Sequence, residues 1–297
     1  MKPTLTIAIT AYNEAENIAG LLSTLLHQTV TSADLRNILV VSDASTDNTD
    51  GIVRSFKGRG VELVRVVTRG GSIRARNMIL TQTDTDILII LDADILPEAD
   101  GFVDALIGPL IADPLVGLTS ATLQPMLGQT FVERILCRNH EWKRALFLSL
   151  GDGNNLYSCF GPVQAFSRRF YATFRYQDDT PYDAIAYLSC IASGMRFVVV
   201  RQYSALFRCP TNFRDHVRQS SRFSAGRNKI IEIFGDEGRR AYAIPVGRMV
   251  LEVIKEFFRR PILSMSYFAM WLYVRLFKKS QFTSLWEVAE SSKKLTV

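Results

Sequence analysis

Cysteine and histidine are scarce in this sequence, since 297 residues contain four cysteines and three histidines. No two of them stand in a C-x-x-C or H-x-x-x-H spacing. The chain therefore lacks the ligand spacing of a structural zinc site and the cysteine density of a disulfide-stapled domain. We expect the four cysteines to be reduced thiols.

A signal peptide and a full-length membrane span are missing as well. The first residues pass from one Lys into a short apolar run, without the apolar core of about 7–15 residues that a signal peptide needs. Residues 262–277 are nearly all apolar, but these 16 residues fall short of the roughly 20 that span hydrocarbon. We expect the chain to stay on the cytoplasmic side of the membrane.

Disorder and nucleic-acid binding are also disfavoured. Hydrophobic residues make up 47% of the chain, which is too many for a disordered one. An excess of 35 Lys and Arg over 29 Asp and Glu favours anionic partners, such as nucleotides or an acidic membrane surface. Because no nucleic-acid-binding motif accompanies that charge, nucleic acid is not an expected partner.

The first part of the chain alternates between strand-like and helical patterns. Short apolar runs at Leu5–Ile9, Ile38–Val41, Val61–Val67 and Ile87–Leu91 predict strands, and apolar residues recur at helical spacing between them. This alternation predicts an α/β fold with a parallel sheet, in which ligands bind beyond the carboxyl ends of the strands. The carboxylates that follow three of the runs are Glu14, Asp43, Asp47, Asp92 and Asp94.

Asp92 and Asp94 are the most informative of these carboxylates. They stand two residues apart after an apolar run, where both can point into the crevice and bind Mn²⁺ or Mg²⁺ through oxygen ligands. The structural alternative is a solvated turn, since Asp-x-Asp is common by chance. Asp43 and Asp47 have similar alternatives, an Asx turn and a helix cap. We expect the cap for Asp47 and a functional role for Asp43.

Four motifs, in this order, resemble the nucleotide-sugar domain of family-2 glycosyltransferases. They are Ala11-Tyr12-Asn13-Glu14, Asp43-Ala44-Ser45-Thr46-Asp47-Asn48-Thr49, Gly71-x-x-Arg74-Ala75-Arg76-Asn77 and Asp92-Ala93-Asp94. The resemblance extends from about Leu5 to Phe223. It implies a Rossmann-like GT-A fold with a mixed, mostly parallel sheet. Residues 1–100 would form the nucleotide-sugar half, 101–240 the acceptor-binding and catalytic half, and 241–297 a C-terminal segment of amphipathic helices.

The resemblance also implies roles for individual residues. Asp43 would accept a hydrogen bond from the uracil N–H, and Arg76 would stabilise the nucleotide. Asp92 would lie near the ribose and the metal, and Asp94 would ligate a divalent Mn²⁺ or Mg²⁺ that neutralises the leaving diphosphate. The residues that would line the nucleotide pocket are Thr10, Ala11, Tyr12 and Glu14.

Asp183 is the candidate catalytic base. Family members usually carry Glu-Asp here, then a helix, then Gly eleven residues after the Asp; Gly194 keeps that spacing, whereas Tyr182 replaces the Glu. A carboxylate facing an apolar pocket can take the proton from an attacking sugar hydroxyl. The rival candidates are Asp178 and Asp179. The structural alternative for Asp183 is a residue that merely begins a helix.

Two further segments are similar to acceptor-side motifs of the family. Gly161 begins a Gly-x-x-x-Ala-Phe-x-Arg segment, which in the family lies against the donor sugar and the acceptor; the alternative is a simple turn. Gln219, Arg222 and Phe223 match a Gln-x-x-Arg-Trp motif with Phe in place of Trp. The resemblance implies that Arg222 meets the diphosphate and that the aromatic ring stacks under the acceptor sugar. The alternative is an ordinary basic amphipathic helix.

Beyond residue 241 the pattern changes. Apolar residues form a stripe at helical spacing over 246–258, with charged residues opposite, and the apolar segment 262–277 has basic flanks. This pattern favours a helix that lies on an anionic membrane surface, at the cytoplasmic face. The alternative is a soluble packing or dimerisation element, which leaves a homo-oligomer open.

Together these features predict an inverting, metal-dependent transfer of a sugar from a UDP-sugar to a hydroxyl of a saccharide or lipid-linked saccharide, in cell-surface polysaccharide or glycoconjugate synthesis. A polyprenyl-phosphate sugar synthase is an alternative, which the Gln-x-x-Arg-Phe motif disfavours. A sugar-1-phosphate nucleotidyltransferase would need a glycine-rich loop after the first strand, where this chain has Ala-Tyr-Asn-Glu. A catalytically inactive sugar-nucleotide-binding membrane protein is disfavoured by the combination of Asp-x-Asp with Asp183.

Overall fold

The computed structural model describes residues 1–277, 290–292 and 295, apart from the side chains of 222–224 and 290. Within these residues, eight strands form one sheet. The strands are β1 (Thr4–Ala11), β2 (Asp34–Asp43), β3 (Val61–Val66), β4 (Ile87–Asp92), β5 (Ile95–Pro97), β6 (Val116–Pro125), β7 (Val163–Ser167) and β8 (Arg196–Phe207). The α-helices are α1 (Ile18–His27), α2 (Thr49–Ser55), α3 (Gly71–Gln82), α4 (Phe102–Ala112), α5 (Phe131–Ser149), α6 (Arg168–Tyr171), α7 (Tyr182–Ala192), α8 (Phe213–Ala241), α9 (Val246–Arg259) and α10 (Pro261–Phe277).

The sheet is mixed, with the strand order β3-β2-β1-β4-β7-β6-β8-β5. β1 pairs in parallel with β2 and β4, and β2 pairs in parallel with β3, so the carboxyl ends of these strands meet at one edge. β7 runs antiparallel to β4 and β6, and β5 runs antiparallel to β8. The strand order reverses between β1 and β4, where an α/β sheet opens a crevice for ligands. The predicted α/β fold with a mixed, mostly parallel sheet is confirmed.

Helices cover both faces of the sheet. On β1, Leu5, Ile7 and Ile9 pack in one cluster with α1 and α4, whereas Ala8 points to the other face and packs in a cluster with Ile185 of α7 and with α3. Successive residues of a strand point to opposite faces, so a strand that is covered on both sides must be apolar throughout. This is why the apolar runs at Leu5–Ile9, Ile38–Val41 and Ile87–Leu91 form β1, β2 and β4. The run at Val61–Val67 forms the edge strand β3, in which Glu62 and Arg65 are exposed. The four cysteines are also buried, as free thiols.

Up to residue 277, β8 is followed by α8, α9 and α10, and polar contacts join α9 and α10 to α5. Arg138 of α5 donates to both carboxylate oxygens of Glu256 on α9, at 2.5 and 2.7 Å. Lys143 of α5 donates to the hydroxyl of Tyr267 on α10 at 2.7 Å. The predicted helix over 246–258 is confirmed as α9. Among the residues described, none of the helices combines the length and the apolar character that crossing a membrane requires.

Candidate active site

Asp92 lies at the centre of the candidate site, at the carboxyl end of β4. Its partner across the parallel pair is Thr10 on β1, and Thr10 Oγ1 donates to Asp92 Oδ1 at 3.1 Å. The Asp92 side chain is 19% exposed, so part of the carboxylate remains accessible. Asp92 therefore lies at the carboxyl end of β4, beside the point where the strand order reverses.

Arg76 reaches Asp92 from the helix α3. Its guanidinium has no exposed surface, and Nη2 donates to Asp92 Oδ1 at 2.6 Å and to the carbonyl oxygen of Gly161 at 3.2 Å. Burial opposes the charge, but the Asp92 carboxylate, together with Tyr176 and Tyr182, outweighs it and raises the pKa of Arg76 above its usual value. In this structure Arg76 holds Asp92, and its predicted contact with the nucleotide stays a prediction.

Tyr182, the first residue of α7, contacts the other oxygen of Asp92. Its hydroxyl donates to Asp92 Oδ2 at 2.8 Å, and the Arg76 guanidinium lies 4.0 Å from the centre of its ring. Burial, reinforced by the negative charge of Asp92, raises the pKa of Tyr182, so the side chain remains a neutral hydroxyl donor. The residue that departs from the family pattern is thus joined directly to the candidate site.

Asp183 follows in the first turn of α7 and is partly exposed. Its Oδ1 accepts the backbone N–H of Ala184 at 2.8 Å. Burial, and after it the negative charge of Asp183, raises the pKa of Tyr242. The rival candidates Asp178 and Asp179 are exposed residues of a turn. Asp183 is the carboxylate that directly follows Tyr182, the residue bonded to Asp92, and its role as base stays a prediction.

Asp43 is buried at the end of β2, where it contacts the beginning of α3. Its Oδ1 accepts the N–H of Gly70 at 2.8 Å, and its Oδ2 accepts the N–H of Gly71 at 2.7 Å. Gly71 has φ +82°, a conformation that glycine adopts without strain. From the end of β2, Asp43 thus bonds a segment that is distant in the sequence. Each carboxylate oxygen has a second lone pair, so the predicted contact with a uracil N–H stays available and untested.

The loop after β1 is fixed by its own polar contacts. The carboxylate of Glu14 is buried and accepts from Asn17 at 2.9 Å. Tyr12 is partly exposed, and the guanidinium of Arg69 lies 3.9 Å from the centre of its ring. Asp47 accepts the backbone N–H groups of Ala15 and of Thr49, the first residue of α2, at 3.0 Å each. The N-cap residue of α2 is Asn48, so Asp47 bonds the beginning of the helix from one residue before the cap. The nucleotide contacts expected of Thr10, Ala11, Tyr12 and Glu14 stay predictions.

Asp94 lies two residues beyond Asp92 and is partly exposed. Among the described residues, no group of three or more His, Cys, Asp or Glu side chains comes together as a complete metal site. Mg²⁺ is usually held by one or two protein carboxylates, with substrate phosphates and water as the other ligands. The partly exposed Asp94 fits such a partial donor set, and its role as metal ligand stays a prediction.

The acceptor-side residues are only partly described. Gln219 lies half-buried on α8, whereas the side chains of Arg222 and Phe223 lie outside the described part of the chain. Gly161 lies against the candidate site, because a Cβ atom placed there would come within 2.2 Å of Cε2 of Tyr182. Only a residue without a side chain allows this ring position.

Residues 6–202 match the family model described as Glycosyl transferase family 2, which is more than half of the chain. The chain belongs to glycosyl transferase family 2. One curated relative of this family-2 chain is the glycosyltransferase AglE of Haloferax volcanii, 35% identical over 98 residues. The matched segment is 32% of this chain and 32% of that relative, so the chain spans about a third of the relative's length.

Solved structures share the fold of this family-2 chain. The mannosyltransferase PcManGT from Pyrobaculum calidifontis, in complex with GDP-Man and Mn²⁺, has a TM-score of 0.63 at 20% identity, covering 93% of this chain and 86% of that one. TarS from S. aureus with UDP-GlcNAc has a TM-score of 0.56 at 15% identity, covering 82% and 69%. Glucosyl-3-phosphoglycerate synthase from Mycobacterium tuberculosis, with Mn²⁺, UDP and phosphoglyceric acid, has a TM-score of 0.53 at 17% identity, covering 75% and 77%. At such identities the likeness shows the fold alone.

The contact of Tyr182 with Asp92 and Gly161 was not predicted from the sequence of this family-2 chain. Tyr182, Gly161 and Asp92 are each singled out by motif, yet their spacing does not predict that they touch. Two features of the sequence point to this contact: Tyr182 stands where the family usually has Glu, and position 161 is a glycine. They become interpretable only once the fold brings α7 to the end of β4.

Proposed function

We propose that this chain is an inverting glycosyltransferase that moves a sugar from a UDP-sugar to a hydroxyl of a saccharide or lipid-linked saccharide. The observation that supports the proposal is that Thr10, Arg76 and Tyr182 all donate hydrogen bonds to the carboxylate of Asp92. Asp183 directly follows Tyr182 in the chain. Two further carboxylates are partly exposed, that of Asp183 and that of Asp94, two residues after Asp92 in the chain. This arrangement suits a reaction that needs a metal ligand and a base near one sugar.

In the proposed reaction, the acceptor oxygen bonds to the anomeric carbon from the face opposite the diphosphate. The carbon–oxygen bond to the diphosphate breaks, and Asp183 takes the proton of the acceptor hydroxyl. The carboxylate of Asp43 accepts a hydrogen bond from the uracil N–H. A divalent cation on Asp94, when bound, would supply positive charge for the leaving diphosphate. Arg222 lies in the motif that would face the same diphosphate. The product would enter cell-surface polysaccharide or glycoconjugate synthesis.

The test of this function is a screen of UDP-sugars and GDP-sugars with Mn²⁺ and mixed saccharide acceptors, in which release of the nucleoside diphosphate is measured. We expect release from a UDP-sugar. Release from GDP-sugars alone would contradict the uridine assignment for Asp43. Transfer to a polyprenyl phosphate as sole acceptor would contradict the proposal that the acceptor is a saccharide. Nucleotide binding without release of a nucleoside diphosphate would contradict the proposed enzymatic activity.

We also propose that α9 and α10 lie on the anionic cytoplasmic surface of a membrane. The polar Glu256 faces α5, whereas apolar side chains of α9 face outward, namely Val246, Val250, Val253, Ile254, Phe257 and Phe258. Lys255, Arg259 and Arg260 are exposed beside them. Exposed apolar residues next to cations suit the interface of a bilayer with acidic lipids. The Arg138–Glu256 ion pair joins α9 to α5.

Binding of the full chain to vesicles tests this proposal. We expect sedimentation with vesicles of acidic phospholipid, weaker binding in high salt, and little binding to neutral vesicles. Phe258, 79% exposed, is a suitable site: Phe258→Asp should weaken binding about 10–100-fold, because it removes roughly 1.5–3 kcal/mol of apolar burial. The matched control is Leu127→Asp, at an exposed residue outside α9 and α10. Equal loss in both variants, or a dimer that Phe258→Asp dissociates, would contradict membrane binding.

A further inference from the structure

The two oxygens of the Asp92 carboxylate are held from different sides. Oδ1 accepts from Thr10 at 3.1 Å and from Arg76 at 2.6 Å. Oδ2 accepts from the hydroxyl of Tyr182 at 2.8 Å. A carboxylate that is bonded through one oxygen can still rotate about its Cβ–Cγ bond, whereas bonds to both oxygens fix its plane. Tyr182 therefore determines the orientation of Asp92.

The ring of Tyr182 is itself held tightly in place. The Arg76 guanidinium packs on one face, 4.0 Å from the ring centre. At the edge, the absence of a side chain at Gly161 leaves the space that Cε2 occupies. The carbonyl oxygen of Gly161 accepts from the same Arg76 at 3.2 Å. The hydroxyl thus has little freedom to leave Asp92.

Tyr182 also connects Asp92 to the candidate base. It is the first residue of α7, and Asp183 is the next residue in the chain. A hydrogen bond from Tyr182 to Asp92 therefore joins the beginning of α7 to the end of β4. The distance between the base and the donor-side carboxylates depends on that connection.

We propose that Tyr182 is a positioning residue for sugar transfer, which orients Asp92 through its hydroxyl and sets the place of Asp183 relative to the donor. The inference rests on the proposed function. A Glu, usual at this position in the family, has no proton to donate to Asp92 when ionised, and it would place two like charges side by side. A neutral tyrosine donates without adding charge. The site therefore depends on a tyrosine at 182.

The test compares Tyr182→Phe with Tyr187→Phe in the full chain. Both remove one hydroxyl from α7, but the hydroxyl of Tyr187 contacts Asn154 instead of the site, at 3.3 Å. With the donor identified in the screen, we expect kcat to fall about 10–100-fold in Tyr182→Phe, the range for a hydrogen bond to a charged group. The acceptor KM should stay within about threefold, because Tyr182 does not need to touch the acceptor. Tyr187→Phe should stay within about twofold of the unmodified chain in both parameters.

Three further variants, Tyr182→Glu, Gly161→Ala and Tyr182→Ala, distinguish a positioning role of Tyr182 from a purely structural one. Tyr182→Glu should not exceed Tyr182→Phe in activity, because an ionised Glu cannot donate to Asp92. Gly161→Ala should lower kcat in the unmodified chain but have little effect in Tyr182→Ala, since the added methyl group then meets no ring. Thermal melting of each variant reports its folding. UDP binding measured by calorimetry in Tyr182→Phe checks that the nucleotide pocket survives.

The outcomes are distinguishable from failure of the proposed function. If the unmodified chain turns over no nucleotide sugar, the proposed function fails, and the role of Tyr182 fails with it. If the unmodified chain is active and Tyr182→Phe keeps its kcat, only the role of Tyr182 is overturned. Recovery of activity in Tyr182→Glu, or a loss in Tyr187→Phe equal to that in Tyr182→Phe, would also overturn it.

Discussion

Replacing Asp183 with Asn is expected to lower sugar transfer about 10²–10⁴-fold, the usual contribution of a general base, while UDP binding is kept. Asn has nearly the shape of Asp, and its amide oxygen can still accept the N–H of Ala184, which Asp183 accepts at 2.8 Å. The substitution therefore removes the proton acceptor without disturbing the first turn of α7. Initial rates of nucleotide release and calorimetric titration with UDP measure the two effects separately.

The matched controls are Asp178→Asn and Asp179→Asn, the rival carboxylates in the exposed turn before α7. Asp179 has φ +55°, a conformation that Asn tolerates well, so its replacement should not disturb the backbone. We expect both controls to keep full transfer. Full activity in Asp183→Asn, or a large loss in one of the controls, would show that the base has been assigned to the wrong carboxylate.

Replacing Arg76 with Met is expected to destabilise the protein by about 3–5 kcal/mol, because it leaves the mostly buried carboxylate of Asp92 without its ionic partner. The guanidinium of Arg76 has no exposed surface, and it also bonds the carbonyl oxygen of Gly161. For a chain of this size, each kcal/mol corresponds to roughly 2–4 °C in melting temperature, so the expected decrease is about 6–20 °C. Residual activity of the folded fraction should also fall, since Asp92 then keeps only its hydrogen bonds from Thr10 and Tyr182.

The control for that substitution is Arg239→Met, which breaks an ion pair with Asp236. Both side chains of this pair are largely exposed, 69% for Arg239 and 83% for Asp236. Exposed pairs contribute about 0–1 kcal/mol, so the melting temperature should change little. Calorimetric melting of both variants checks the contrast. An equal decrease in the two variants would show that burial of Arg76 has no special energetic role.

Much of the fold could be predicted because strands covered on both faces leave continuous apolar runs in the sequence. The runs at Leu5–Ile9 and Ile87–Leu91 became neighbouring parallel strands, and Asp92 follows the second run at the carboxyl end of β4. The pairing of β4 with the antiparallel β7 was not predicted, because strand order depends on contacts across the whole chain. The same holds for β5, which pairs with β8 at the far edge of the sheet.

The chemistry of the candidate site was predicted less completely than its location. Motifs single out Asp43, Asp92 and Asp183, but the hydrogen-bond partners of Asp43 and Asp92 come from segments far away in the sequence. Asp43 bonds the backbone of Gly70 and Gly71, which a local turn pattern does not reveal. A buried polar group must find partners wherever the fold provides them, so such contacts can be assigned only after the fold is known.

The most direct test of the central claim is the nucleotide-release assay, run with Mn²⁺ and again after removal of metal with EDTA. The claim is that the carboxylates around Asp92 and Asp94 act on a nucleoside diphosphate sugar together with a divalent cation. The account predicts release of UDP with Mn²⁺, loss of release in EDTA, and recovery when Mn²⁺ is added in excess. Release at the same rate in EDTA would contradict the account.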